Sequence, residues 1–229
     1  MIQLDNVSFS YGSQVILKNI THTFKSGKYH MILGPSGNGK STLLKLIAGF
    51  LKPQSGALSK PANYGYVLQE GGLFSHLNIS QNISIQGLNE SWSKQKITLR
   101  IQQLCDLTRF STDLLMKFPE QISGGQKQRV ALMRSLFLDP EVLLFDESLT
   151  GLDPLLKYIL MKDLSAIIKD LKKTVLHVTH DLVEASILAD EILLLKDGKV
   201  EEATDKVSFF KNPVSEFSQQ YIQSQKVVI

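Results

Sequence analysis

Apolar and polar residues follow two rhythms along this chain, and the changes of rhythm outline its elements. In "IQLDNVSFSY" (Ile2–Tyr11), Ile2, Leu4, Val7 and Phe9 recur with a period near two and one slip, the mark of a strand with one buried face. Read with "VILKNITHTF" (Val15–Phe24) across Gly12 and Ser13, it predicts an antiparallel hairpin. "KYHMILG" (Lys28–Gly34) is a short apolar strand ending at glycine. "KSTLLKLIAGF" (Lys40–Phe50) changes to helical spacing, with Leu43, Leu44, Ile47 and Phe50 on one side, and Pro53 and Gly56 break it. "YGYVLQ" (Tyr64–Gln69) is again a strand.

From Gly71 to about Phe118 polar helical stretches dominate. In "WSKQKITLRIQQLCDL" (Trp92–Leu107), Ile97, Ile101, Leu104 and Cys105 share a face. Strand signals are weak here, and the region predicts an inserted helical lobe. Three buried-strand patterns follow with helices between them: "EVLLFDE" (Glu141–Glu147), "TVLHVTH" (Thr174–His180) and "EILLLKDG" (Glu191–Gly198). Short apolar runs alternating with helices imply a parallel sheet covered on both faces, an α/β fold. The stretch from Val207 to Ile229 predicts a final helix or two.

Composition adds mainly exclusions. With 229 residues, 43% hydrophobic and 21% charged, the chain has the make-up of a globular domain with one sizeable core. A net charge of +3, without a basic block, gives no support for nucleic acid as a partner. The single Cys105 cannot form an internal disulfide, which suits a reducing compartment, and its expected role is that of a small buried apolar residue. No run approaches the ~20 apolar residues of a membrane span, and the charged, alternating N-terminus is unlike a signal peptide. The expectation is a cytoplasmic chain whose link to a membrane runs through a partner.

The chemistry begins at "GPSGNGKST": Gly34, Pro35, Ser36, Gly37, Asn38, Gly39, Lys40, Ser41 and Thr42. It fits G-x-x-x-x-G-K-[ST] and lies between a predicted strand and a predicted helix, the context of a phosphate loop. Glycines let successive N–H groups wrap phosphates, and the helix N-terminus adds partial positive charge. Lys40 is expected on the β- and γ-phosphates, and the Ser41 hydroxyl on Mg2+. "VLLFDE" places Asp146 at the end of an apolar strand, suited to Mg2+, usually through water. Glu147 beside it can orient and deprotonate the attacking water. His180 ends another strand, where its imidazole can donate to a γ-phosphate, while His177 within that strand reads as packing. Gln69 ends a strand in the same way and can complete the Mg2+ shell or position water.

A second phosphate-binding device lies in "ISGGQKQRVALMRS" (Ile122–Ser135). It offers no base, nucleophile or metal ligand. Ser123 can cap the helix that follows, Gly124, Gly125 and Gln126 form its tip, and the glycines allow close approach to an anion. Val130, Met133 and Leu136 fall at roughly helical spacing and read as core.

Taken in order, Tyr11, "GPSGNGKST", Gln69, "ISGGQ", "VLLFDE", "LTGLD" and His180 resemble the ATP-binding subunit of ATP-binding cassette (ABC) transporters, importer-like, over almost the whole chain to about residue 210. The resemblance implies a RecA-like P-loop NTPase core with a small antiparallel β subdomain and an inserted helical subdomain. The limits expected within this single ATP-binding domain (1–229) are 1–72 and 135–210 for β subdomain plus core, about 73–134 for the helical subdomain, and 211–229 for a helical tail. It further implies that Tyr11 stacks on adenine and that Asp153 belongs to the loop after the catalytic glutamate. Two copies would pack head to tail, Ser123–Gln126 of one closing on ATP held by the other. Gln69 and the helical lobe would face an integral membrane permease; "EGGLFSHLNISQNI" (Glu70–Ile83), with Leu73, Phe74 and Leu77, is the expected docking stretch.

That stretch and the tail also resemble importer subunits for osmoprotectants and polar amino acids. The expected function is ATP hydrolysis coupled to import of a small polar solute, with ATP and Mg2+ as cofactors, at the inner face of the membrane. Two departures from the family pattern are Ser148 where proline usually follows the glutamate, which leaves Glu147 less constrained, and Ile122 in place of leucine. The alternatives are a soluble ABC ATPase acting on nucleic acid or ribosomes, and a phosphotransferase or GTPase. The single cassette and modest charge count against the first. "ISGGQ" and the lack of N-K-x-D count against the second.

Overall fold

The computed structural model describes residues 1–68 and 72–225. In chain order its elements are β1 (Ile2–Tyr11), β2 (Gln14–Phe24), β3 (Tyr29–Leu33), α1 (Lys40–Ala48), β4 (Ser55–Leu58), β5 (Tyr64–Val67), α2 (Ile79–Asn89), α3 (Lys94–Thr108), α4 (Gly124–Leu136), β6 (Val142–Asp146), α5 (Pro154–Leu171), β7 (Thr174–Val178), α6 (Leu182–Leu188), β8 (Glu191–Lys196), β9 (Lys199–Asp205), α7 (Lys206–Lys211) and α8 (Glu216–Ser224). They form two compact units, Met1–Ala62 with Lys172–Ile229, and Asn63–Leu171. The lobe expected over 73–134 lies within the second unit, together with β5, β6 and α5.

In the first unit β1 and β2 make the predicted hairpin, Ile2 opposite Phe24 and Tyr11 opposite Gln14. The slip in the alternation of β1 is a register shift between Leu4 and Val7, where Asn6 takes φ 50°. This irregularity lets Leu4 and Val7 both stay inside, 2% and 0% exposed, despite their odd spacing. β4 adds to the other edge of β1. Gly56 lies within β4, and glycine is needed there because at φ +83° a Cβ would come within 2.4 Å of the Asp5 and Asn6 carbonyl oxygens.

The deeper sheet of this unit runs β7-β3-β8-β9, parallel except for the antiparallel edge strand β9. Every residue of β3 and β7 is buried, which is why neither strand alternates. Helix α1 packs on β7 and α6 on β3. Leu43, Leu44 and Ile47 are fully buried, but Phe50 is 61% exposed and does not share their face. Gly49, at φ 82°, ends the helix: its N–H donates to Leu46 O and the Phe50 N–H to Lys45 O, a pattern that turns the chain away before Phe50 can continue the period. His177 is buried as expected, but within a polar chain. Its Nδ1 lies 2.8 Å from Tyr29 Oη, and its Nε2 lies 3.4 Å from Glu184 Oε2.

In the second unit β5 and β6 pair in parallel, Tyr64 opposite Val142. Helix α4 crosses β5 so closely that a Cβ on Gly65 would stand 2.2 Å from Ser135 O. Helices α2, α3 and α5 gather around α4. Val130, Met133 and Leu136 of α4, and Ile97, Ile101, Leu104 and Cys105 of α3, are all buried as the periodicity predicts. Arg100 closes the far end of α4, Nε donating to Phe137 O (2.9 Å) and Nη2 to Leu136 O (2.7 Å), a cation placed at the negative end of the helix dipole. Burial raises the Cys105 thiol above its ordinary pKa, as befits a packed residue. No described helix is long and apolar enough to cross a membrane.

Candidate functional site

The phosphate loop follows β3 directly. Gly34, at φ 148°, passes so near the next strand that a Cβ would stand 2.4 Å from Leu195 O. Gly37 and Gly39 have φ 80° and 88°, and Gly39 serves as the N-cap of α1. Asn38 ties the loop together. Its Nδ2 donates to the Pro35 and Ser36 carbonyls, both at 3.3 Å, and its Oδ1 accepts the Asp197 N–H from the β8–β9 turn. Lys40 is buried, with Nζ donating to Gly34 O (2.8 Å) and Pro35 O (3.0 Å). The ammonium is thus held against the loop's own carbonyls, while Ser36 and Gly37 at the tip face solvent. Ser41 and Thr42 occupy the first turn of α1, the positive end of its dipole. The arrangement is a glycine-rich turn at a helix N-terminus with a fixed cation, the kind of place that suits a phosphate.

Tyr11 ends β1 at the rim of the hairpin in the same unit. It is 47% exposed and meets Phe9 edge to face, ring centroids 4.9 Å apart. His180 is exposed just past β7. Its neighbours anchor it: Asp181 caps α6 through the Val183 and Glu184 N–H groups, and the Thr179 N–H donates to Ile32 O of β3 (3.2 Å).

The second unit carries the carboxylates. Asp146 is the last residue of β6, and Tyr66 Oη donates to its Oδ2 at 3.0 Å. Sequence reasoning missed Tyr66, although its place in "YGYV", on the strand leading to Gln69, was a usable signal. Burial first, then the Asp146 charge and hydrogen bond, hold the Tyr66 hydroxyl protonated and donating. Glu147 adopts φ 48°, a left-handed conformation that non-glycine residues seldom take, at a cost of roughly 1–2 kcal/mol. Ser148 and Leu149, which follow it, are buried, 1% and 4% exposed, and the Thr150 N–H donates to Glu147 O.

The tip of α4 is the second device. Ser123 Oγ accepts the Gln126 N–H (3.3 Å) and Gln126 Oε1 accepts the Ser123 N–H (2.8 Å), a reciprocal capping box. The helix starts at Gly124, directly after its Ser123 cap. The glycine pair is therefore the first helical turn, with its N–H groups aimed outward along the dipole. Gly124 is exposed and a Cβ there would meet only Leu152 Cδ2, at 3.5 Å, whereas one on Gly125 would stand 2.8 Å from Leu156 Cδ1. The Asp153 carboxylate accepts the Leu155 and Leu156 N–H groups (3.0 and 3.2 Å) and so caps α5. Gln69, Glu70 and Gly71 lie outside the described residues. Leu73, Phe74 and Leu77 of the expected docking stretch are half-buried or exposed, and Arg134 of α4 donates to Gly72 O at 2.9 Å.

Among known proteins, the chain is 32% identical over its full length to the choline transport ATP-binding protein OpuBA of Bacillus subtilis, and it spans 64% of that relative's length. It is 34% identical to the glycine betaine uptake system ATP-binding protein YehX of Escherichia coli, over 96% of this chain and 76% of that one. Among solved structures it resembles cbiO1 from Clostridium perfringens, part of an ABC transporter complex, with a TM-score of 0.83 at 29% identity over 98% of this chain and 95% of that one. It also resembles an ATP-binding cassette in a dimeric post-hydrolysis state bound to ADP and Pi, with a TM-score of 0.78 at 29% identity over 90% of this chain and 99% of that one. These neighbours are ABC cassettes, the RecA-like P-loop fold expected from the sequence. Residues 17–150 match the model of the ABC transporter family, and with such relatives the chain belongs to that family.

Proposed function

We propose that this chain binds ATP, hydrolyses it as one half of a head-to-tail pair, and drives a membrane permease. One observation carries the reading: the chain has a phosphate loop with its cation already fixed, and also a capped, solvent-facing helix tip with nothing crowding Gly124. Two anion-binding devices in one chain make sense if each completes the other in a second copy, an isologous arrangement with two composite sites. ATP would then favour the closed pair because its γ-phosphate gains contacts that exist only in that state.

In this reading Lys40 and backbone N–H groups of the Gly34–Thr42 loop, Pro35 excepted, hold the phosphates, Ser123–Gln126 of the second copy cover them, and Tyr11 lies under the adenine. Glu147 takes the proton of the attacking water, His180 donates to the γ-phosphate, and Gln69 and Asp153 complete the site. The Ser41 hydroxyl and the Asp146 carboxylate are hard oxygen donors, the type that suits Mg2+. No group of three or more His, Cys, Asp or Glu able to hold a metal occurs among the described residues, which fits an ion bound largely through phosphate and water rather than a protein cage. Bound there, Mg2+ would neutralise charge on the β- and γ-phosphates.

The subdivision we favour keeps residues 1–72 and 135–210 as β subdomain and core, 73–134 as the helical part and 211–229 as the tail. The helical part and the Leu73–Leu77 stretch would dock on an integral permease at the inner face of the membrane. The relatives named for choline and glycine betaine support import of a small polar solute of the osmoprotectant type. The test is ATP turnover with and without the copurified membrane subunit. Glu147→Gln should abolish turnover yet retain ATP, and recovery of the protein from membranes free of any integral partner would contradict the reading.

A further inference from the structure

The sequence predicts α8 only as a tail helix, but one face of it is fastened to the backbone at His180. Ser215 caps it through a reciprocal box with Ser218, and Phe217 carries Lys196 Nζ over its ring, 4.3 Å from the centroid, at the end of β8. One turn on, Tyr221 is 8% exposed and its hydroxyl donates to the His180 carbonyl (3.2 Å). Gln225 donates through Nε2 to the same carbonyl (2.8 Å) and accepts the Leu182 N–H on Oε1 (3.1 Å). Burial raises the Tyr221 phenol above its ordinary pKa, so the hydroxyl stays protonated and donates to the His180 carbonyl.

We propose that Tyr221, assisted by Gln225, is a positioning residue that fixes the His180 backbone through its carbonyl, so that turnover depends on the tail helix. His180 is exposed and lies between β7 and α6, a position where a backbone shift would swing the imidazole. Both donors to its carbonyl named here come from α8, which fixes that backbone from one side. The inference rests on the proposed ATPase function.

The test compares Tyr221→Phe, Gln225→Ala and the double variant with the wild-type chain. Tyr221→Phe keeps the ring and removes only the hydroxyl. Turnover should fall about fivefold for it, the worth of one hydrogen bond of about 1 kcal/mol, and further for the double variant. ATP affinity should stay within about twofold, because the groups assigned to ATP are untouched. Amide exchange at Leu182 should quicken in Gln225→Ala. Unchanged turnover, or a loss matched by equal weakening of ATP binding, overturns the proposal. If the wild-type chain does not turn over ATP, the function reading fails instead. The exchange readout then decides, since unaltered protection at 180–182 in the double variant overturns the clamp itself.

Discussion

Asn82 offers a sharp test of how the helical part holds its docking stretch. It is 0% exposed. Its Oδ1 accepts the Phe74 N–H (2.8 Å), and its Nδ2 donates to Phe74 O (3.0 Å), Leu77 O (2.9 Å) and Asn78 O (3.1 Å). One amide thus folds residues 74–78 over the start of α2. Two protons shared by three carbonyls, plus one accepted bond, make about three effective hydrogen bonds of about 1 kcal/mol each. Asn82→Leu keeps the volume and loses them all, for a cost of about 3 kcal/mol. At roughly 2–4 °C per kcal/mol for a chain of this size, the Tm should fall by about 6–12 °C in thermal unfolding followed by circular dichroism. Asn82→Asp is the finer probe. It keeps the bond from Phe74 N–H but turns an anionic oxygen toward three carbonyls, so its deficit should shrink as pH falls and the carboxyl regains a proton. Permease-stimulated turnover should fall with both variants, since Leu73, Phe74 and Leu77 lose their frame. A Tm for Asn82→Leu within 2 °C of wild type would refute the reasoning.

Acid should weaken the first unit in a defined window. Burial, then the neighbouring His30, lowers His22 from 6.5 to about 4, and burial likewise lowers His30. Both favour the neutral form when folded, so their contribution is complete above pH 6.5 and is lost as pH falls toward 4; denaturant titrations should show that slope, and His22→Gln should flatten it. In the phosphate loop, Gly39→Ala meets both a left-handed φ and Leu17 Cδ2 at 2.7 Å, whereas Gly37→Ala meets only the φ. The first should cost roughly 2–4 kcal/mol and the second about 1 kcal/mol, and equal losses in a melting comparison would contradict the assignment.

Much of this was legible in the chain because its signals are local. A glycine-rich turn between an apolar strand and a helix, a capped helix tip, and carboxylates closing a buried strand all appear within a few residues. What escaped depends on partners far away in sequence. β4 has little apolar alternation and exists because β1 lies beside it; β9 is an edge strand made by pairing with β8. Phe50 obeyed the helical period but sits past a glycine whose left-handed turn the pattern does not reveal. Tyr221 and Gln225 matter through what they touch, and nothing in the residues around them names those partners.

The central claim is that the tip of α4 acts on ATP held by a second copy. Gel filtration with ATP tests it most directly, using Glu147→Gln to stop hydrolysis. Gly124→Asp is the perturbation of choice because a Cβ there has room within its own chain, 3.5 Å from Leu152, so the monomer should fold and bind ATP as before. The single Glu147→Gln variant should elute as a dimer with ATP and as a monomer without it. The Gly124→Asp, Glu147→Gln double variant should remain a monomer in both. A double variant that still dimerises with ATP would contradict the account.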